Sequence, residues 1–245
     1  MRLFLLFAIL LPFQLFAQLG KQKNTKQYYT QAQVYDSTLG ISIYERLNTV
    51  LGGDSIRNGS GGYAAANWWQ DFYTNGQMLH EGFYVEGQLR IYKNFFESGK
   101  LERHFRFSDN NRCQMTIYYE NGQIRSDIIY FQGEPETTYE YFEDGSPEFI
   151  EENAKKNEYP IIRKFYFAKD QPQSLLELTD KKKLRYSYKS FYENGKVEEE
   201  GTMQYNAEVS DVMKEGSWKV YDETGKLIAL QEFVRGQMVE EKKVN

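Results

Sequence analysis

The amino-acid sequence predicts an all-β protein: an elongated, single-layer antiparallel sheet of tandem hairpins, with a short helix capping its N-terminal end. Three observations carry that expectation. A phrase recurs as Phe72-Tyr73-Thr74-Asn75-Gly76, Phe95-Phe96-Glu97-Ser98-Gly99, Tyr118-Tyr119-Glu120-Asn121-Gly122 and Tyr141-Phe142-Glu143-Asp144-Gly145, its glycines 23 residues apart three times running. A second turn-forming residue follows eleven positions later at Gly87, Asn110 and Gly133, and again at Asn206 and Gly236 after the later copies. Aromatic residues make up 16% of the chain, which suits strands that stack ring on ring. A fixed period of this size marks small units that bury their apolar faces only on one another.

Residues 1–17 hold one basic residue, an apolar run broken at Pro12 and a small residue, Ala17, the pattern of a signal peptide cleaved before Gln18, with an uncleaved membrane anchor as the alternative that the shortness of the run opposes. Residues 18–62 come next. Gln18 to Thr38 is polar and expected to fray. Ser42-Ile43-Tyr44-Glu45 has the spacing of a helix-capping box, and Ile43, Leu47, Val50 and Leu51 form one helical stripe that ends at Gly52-Gly53. That helix would cover the first sheet edge. The glycine-rich stretch after it lacks Gly-Lys-Ser/Thr and does not read as a phosphate loop.

The repeat array is expected over residues 63–240. Fifth and sixth copies occur at Phe191-Tyr192-Glu193-Asn194-Gly195 and Tyr221-Asp222-Glu223-Thr224-Gly225, and a worn copy at residues 165–170. Gly76, Gly99, Gly122, Gly145, Gly195 and Gly225 are thus the turn glycines. Residues 241–245 form a charged tail, and fraying is expected from Met238 onward.

Taking Asn121-Gly122 as a two-residue loop sets Glu120 against Gln123 and Tyr119 against Ile124. The same register opposes Glu97 to Lys100 and Glu193 to Lys196. Alternation then places Tyr73, Phe96, Tyr119, Phe142 and Tyr192 on a core face together with Met78, Leu101, Ile124 and Val197. The preceding aromatics, Phe72, Phe95, Tyr118, Tyr141 and Phe191, form an outer row and are the candidate binding residues. The competing expectation is that these rings pack on one another and on the stretch 151–163.

The net charge of −5 argues against a nucleic-acid partner, which would need a basic stripe. Lys181-Lys182-Lys183 follows Glu177 and Asp180 and reads as a solvated loop. Cys113 stands alone, so it reads as a buried strand thiol rather than part of a disulfide framework.

Gly216-Ser217-Trp218-Lys219-Val220-Tyr221 resembles the MORN repeat, Gly-x-Trp-x-x-Tyr before a turn glycine. The Tyr-Tyr-Glu-Asn-Gly-Gln-Ile phrase resembles its bacterial variant, found in antitoxin-type proteins of the YwqK family. The resemblance spans about residues 63 to 240 and implies a sheet of stacked hairpins that binds proteins or lipids. The unit at Gly225 departs from it by carrying Asp222 where the second aromatic belongs.

Nothing suggests an enzyme. His80 and His104 fall on opposite strand faces and are no metal pair, the turn carboxylates are explained as charge partners, and no cofactor or metal is expected. The function expected is an exported, non-enzymatic scaffold in the periplasm or at the cell surface, binding a protein or an envelope polymer. Alternatives are lipid attachment at a membrane surface, which the acidic balance opposes, and an antitoxin-like neutralising partner, which an export signal opposes.

Overall fold

The computed structural model describes residues 27–30, 32, 35–36, 41–42, 57–59, 61–108 and 111–244. Strand β1 (Gln27–Tyr29) opens the main sheet, and β2 (Tyr35–Asp36) with β3 (Ile41–Ser42) forms a separate pair. An antiparallel meander comes after them: β4 (Asn67–Tyr73), β5 (Met78–Val85), β6 (Gln88–Phe95), β7 (Leu101–Phe107), β8 (Arg112–Tyr118), β9 (Ile124–Phe131) and β10 (Glu134–Tyr141). It continues through β11 (Pro147–Asn153), β12 (Pro160–Phe167), β13 (Gln171–Asp180), β14 (Arg185–Phe191), β15 (Val197–Asn206), β16 (Asp211–Tyr221), β17 (Leu227–Val234) and β18 (Gln237–Lys243). The sixteen strands of the main sheet lie side by side in chain order, with β1 parallel to β4. The expected all-β repeat sheet is therefore present.

Both ends differ from expectation. Gln27–Tyr29, read as part of a frayed segment, adds a parallel strand that occupies the β4 edge. Met238 to Lys243, read as fraying, continues the ladder against β17, because a charged strand at an open edge satisfies its backbone on one side and solvates its side chains on the other. The signal segment 1–17 lies outside the described residues. So does the expected capping helix, apart from Ser42, which closes β3.

The turns come in two kinds. In the first, Gly122 N–H donates to the Tyr119 carbonyl (2.9 Å) and Tyr119 N–H donates to the Gln123 carbonyl (2.8 Å). Glu120, Asn121 and Gly122 therefore form a three-residue loop, with a positive φ of 93° at the glycine. The same two bonds recur at Tyr73, Phe96, Phe142, Tyr192 and Asp222. The second kind is the two-residue hairpin loop, with positive φ at both positions of Glu86-Gly87, Gln132-Gly133 and Arg235-Gly236. The worn copy also turns, at Lys169 and Asp170. Asn206 was expected within a turn but closes β15 opposite Asp211, with the positive φ at Ser210 instead. Asn110 lies outside the described residues.

The longer first loop overturns the expected register. Tyr118 pairs with Ile124, and Arg125 is an extra residue before Ser126 meets Ile117. Met78, Leu101, Ile124 and Val197 accordingly sit opposite Phe72, Phe95, Tyr118 and Phe191, on the outer face and not with the second aromatics. One added residue in the loop moves the apolar position after it to the other face. Among the described residues, no ion pair joins Glu97 to Lys100 or Glu193 to Lys196 as expected across their turns. Lys100 Nζ instead donates to the Glu120 carbonyl of the next turn (2.8 Å), and Lys196 to the Thr224 carbonyl.

One cross-strand row defines the inner face from end to end. It runs Asp71, His80, Asn94, Arg103, Ile117, Ser126, Glu140, Phe149, Phe165, Ser174, Ser190, Glu199, Val220, Ala229. Its first part is a packed core, with Trp69, Tyr84, Leu89, Tyr92, Phe105, Cys113 and Met115 clustered beside it under Ala65. Arg57 joins Gly87 through its backbone, bonds to Asp71 and lies over the rings of Trp69 and Tyr84, 5.4 Å from each centroid. From β11 onward the inner face is mixed: Leu176, Tyr186, Ser190, Trp218, Ala229 and Phe233 are buried, whereas Phe149 is half-buried and Phe165 is 40% exposed.

That second part curls. Arg163 in β12 and Asp211 in β16 are four strand spacings apart, about 19 Å in a flat sheet. Arg163 Nη1 nonetheless meets Asp211 Oδ1 at 3.1 Å, and Tyr205 OH donates to the Glu158 carbonyl at 2.8 Å. The sheet therefore bends toward its inner face, which becomes a trough closed at the second-turn edge by Tyr159, Tyr186 and Tyr205. Tyr186 is wholly buried there, and burial pushes its hydroxyl pKa up to about 12.

Candidate interaction surface

The first-turn edge is a ladder of side-chain ties between consecutive units. Tyr73, Tyr119 and Tyr192 donate their hydroxyls to the carbonyls of Phe95 (2.9 Å), Tyr141 (2.7 Å) and Tyr221 (2.8 Å). Asn75, Asn121 and Asn194 donate Nδ2 to the carbonyls of Glu97, Glu143 and Glu223, at 2.9 to 3.1 Å. The Asn121 and Asn194 Oδ1 atoms also cap their own loops. The second aromatic and the turn asparagine are thus bonded into the stack. Burial raises the pKa of the Tyr119 and Tyr192 hydroxyls, consistent with that role.

The predicted binding rings Phe72, Phe95, Tyr118, Tyr141 and Phe191 all lie on the outer face and are half-buried. Phe72, Phe95, Tyr118 and Tyr141 repeat every second strand, about 10 Å apart, and Phe191 follows four strands after Tyr141. Each faces the apolar residue after its turn, Pro147 in the case of Tyr141. Phe72 also touches Tyr28, ring centroids 6.0 Å apart. The stretch 151–163, expected as a cover for these rings, belongs instead to β11, β12 and their connection, and its Glu158 is tied to Tyr205 across the trough.

Sequence reasoning missed the trough's open end. A cleft of about 600 Å³ lies there, lined by Phe165, Phe167, Gln173, Ser174, Tyr188, Ser190, Phe191, Tyr192, Glu198, Glu199 and Val220. Ser190 Oγ donates to Glu198 at 3.0 Å. Beside the cleft, Lys214 Nζ pairs with Glu199 at 2.5 Å and sits 4.1 Å and 5.0 Å from the ring centroids of Trp218 and Phe233. Trp218 is wholly buried, donates Nε1–H to the Thr202 carbonyl (3.1 Å) and lies against Gly201. The one signal in the sequence is the run Glu198-Glu199-Glu200 directly after a turn. Its alternation aims Glu199 inward and Glu200 outward, where Lys189, Lys219 and Tyr221 meet it. Hydrogen bonds from Tyr221 and Lys189 hold Glu200 below the usual carboxylate range.

His80 and His104 fall on opposite faces, as expected. His80 is buried against Asn94 (2.7 Å), while His104 faces Lys93 and Thr116 outside and has its pKa lowered first by burial and then by Lys93 and Arg106. Among the described residues, no three His, Cys, Asp or Glu side chains are grouped to hold a metal ion, and no helix is long and apolar enough to cross a membrane.

An open sheet of stacked hairpins, with units from both halves of the array tied to their neighbours along one edge, defines a β-repeat protein. The sequence profile of the MORN repeat variant matches residues 114–132, 187–205 and 214–234, which are the β8–β9, β14–β15 and β16–β17 hairpins. The chain thus carries MORN-type repeats at these three positions. Repeats of this kind are generally protein- or membrane-binding modules. No curated protein matches the chain.

Proposed function

We propose that this protein is an exported, non-enzymatic scaffold that binds a protein or an envelope polymer in the trough of its inner face. The observation that carries the reading is the concavity of the inner face from β11 onward, where Phe165 stays 40% exposed at the mouth of a cleft between buried side chains, in contrast to the packed stretch from β4 to β8. A rigid concavity with exposed rings suits binding, because little order is lost when a partner enters. The leader-like residues 1–17 support export, and mass spectrometry of the secreted chain should find Gln18 at its N-terminus. Retention of residues 1–16 would place the protein in an anchored class.

The test is affinity capture from envelope extract of the source cell. Phe165→Ala with Tyr188→Ala should abolish capture while the fold persists. The outer row is the second reading, supported by its regular spacing, and Tyr118→Ala with Tyr141→Ala tests it. Capture lost only with the outer pair would move the binding face. Capture unchanged by both pairs, or flotation of the wild type with anionic liposomes, would refute the trough.

A further inference from the structure

We propose that the cleft at the open end of the trough seats a basic side chain, Lys or Arg, presented by an extended segment of a protein partner. In this seat Phe165 and Tyr188 face the cation and Glu198 pairs with it. The proposal rests on the binding-scaffold reading and deepens it by assigning the partner's chemistry.

The first argument is charge. The cleft lining contains two carboxylates, Glu198 and Glu199, and no Lys, Arg or His. Glu199 is already neutralised by Lys214. Glu198 accepts the Ser190 hydroxyl and, among the described residues, has no ion pair within 4.0 Å. A cleft with an uncompensated carboxylate beside aromatic walls attracts a cation and repels an anion.

The second argument is that the protein holds an ammonium in this way one step further along the same face. Lys214 Nζ lies over Trp218 and Phe233 and reaches a carboxylate on the neighbouring strand. Phe165, Tyr188 and Glu198 bring aromatic rings and a carboxylate together again, in the lining of one cleft. The groove between parallel rows of side chains also favours an extended backbone, whose alternate side chains point one way.

Titration calorimetry with the peptide acetyl-Gly-Lys-Gly-Lys-Gly-Lys-Gly-amide tests the proposal. Wild-type protein should bind it, more weakly as salt is raised. Glu198→Gln should weaken binding about five- to tenfold, the loss expected for one charge-assisted contact beside aromatic faces. Glu177→Gln, at an exposed carboxylate of the outer face that pairs with Lys164, should change nothing. Circular dichroism and melting of each variant check that it folds. Equal affinity for a norleucine version of the peptide, equal affinity of the Glu198→Gln variant, equal loss in Glu177→Gln, or absence of binding would each overturn the cation seat. If envelope capture still depends on Phe165 and Tyr188 in that case, the trough remains the binding face with a neutral ligand. If capture is lost with the outer pair alone, the scaffold reading of the trough fails too.

Discussion

Gly201→Ala should be among the most damaging small substitutions in the C-terminal half. Gly201 lies in β15 opposite Tyr188, and its inner side is occupied by the Trp218 indole. An added Cβ would stand 2.4 to 2.6 Å from three indole atoms, far inside van der Waals contact. Its φ is not positive, so steric overlap and not backbone strain sets the cost. The indole must shift, and overpacking of a buried ring costs ~1–3 kcal/mol. Loss of the Trp218–Thr202 hydrogen bond adds about 1 kcal/mol. Thermal unfolding followed by circular dichroism should show a decrease of about 2–4 °C for each kcal/mol lost. The discriminating measurement is a double-mutant cycle with Trp218→Leu. In that background the added methyl has room, and the second loss should fall to within about 0.5 kcal/mol. An unchanged midpoint for Gly201→Ala, or the same cost in both backgrounds, would refute the packing argument.

The edge ladder and its charges lead to three further outcomes. Tyr119→Phe removes one inter-unit hydrogen bond and should cost about 1 kcal/mol in urea unfolding, whereas Tyr118→Phe, outside that ladder, should cost less. Gly122→Val forces a β-branched residue to a φ near 93° and should destabilise by ~1–3 kcal/mol, while Gln123→Ser stays close to wild type. Glu200 has a folded pKa below its ordinary 4.5, so its contribution is present above that value and is lost as pH falls through the depressed one. Glu200→Gln should therefore flatten the decline in melting temperature below pH 4.5, and an acid profile identical to wild type would contradict the assignment.

The stride of the glycines made the hairpins legible, because a turn needing positive φ at fixed intervals leaves a mark no packing detail erases. The separation of the two aromatic rows onto opposite faces was legible for the same reason. Register was not. Asn-Gly satisfies both a two-residue loop, where both residues need positive φ, and a three-residue loop, where the glycine alone does. Here the Asn-Gly turns take the longer form, since the asparagine side chain caps its own loop and reaches the next turn. The two-residue form went to pairs such as Glu86-Gly87. The cleft was hidden because it depends on curvature, and curvature comes from contacts between residues 47 and 48 apart in sequence.

Those two contacts, Tyr205 to Glu158 and Arg163 to Asp211, change what kind of stack this is. A repeat array held only by neighbour-to-neighbour bonds is indifferent to length, and a unit can be added or dropped anywhere with local consequences. A clasp that skips three intervening strands fixes the number of strands it encloses. Between β12 and β16 the array counts, so insertion or loss of one hairpin there would pull the clasp apart and open the trough. Between β4 and β10 no contact among the described residues skips three strands in this way. Duplication of hairpins thus meets a set length on the side of the molecule where the cleft lies.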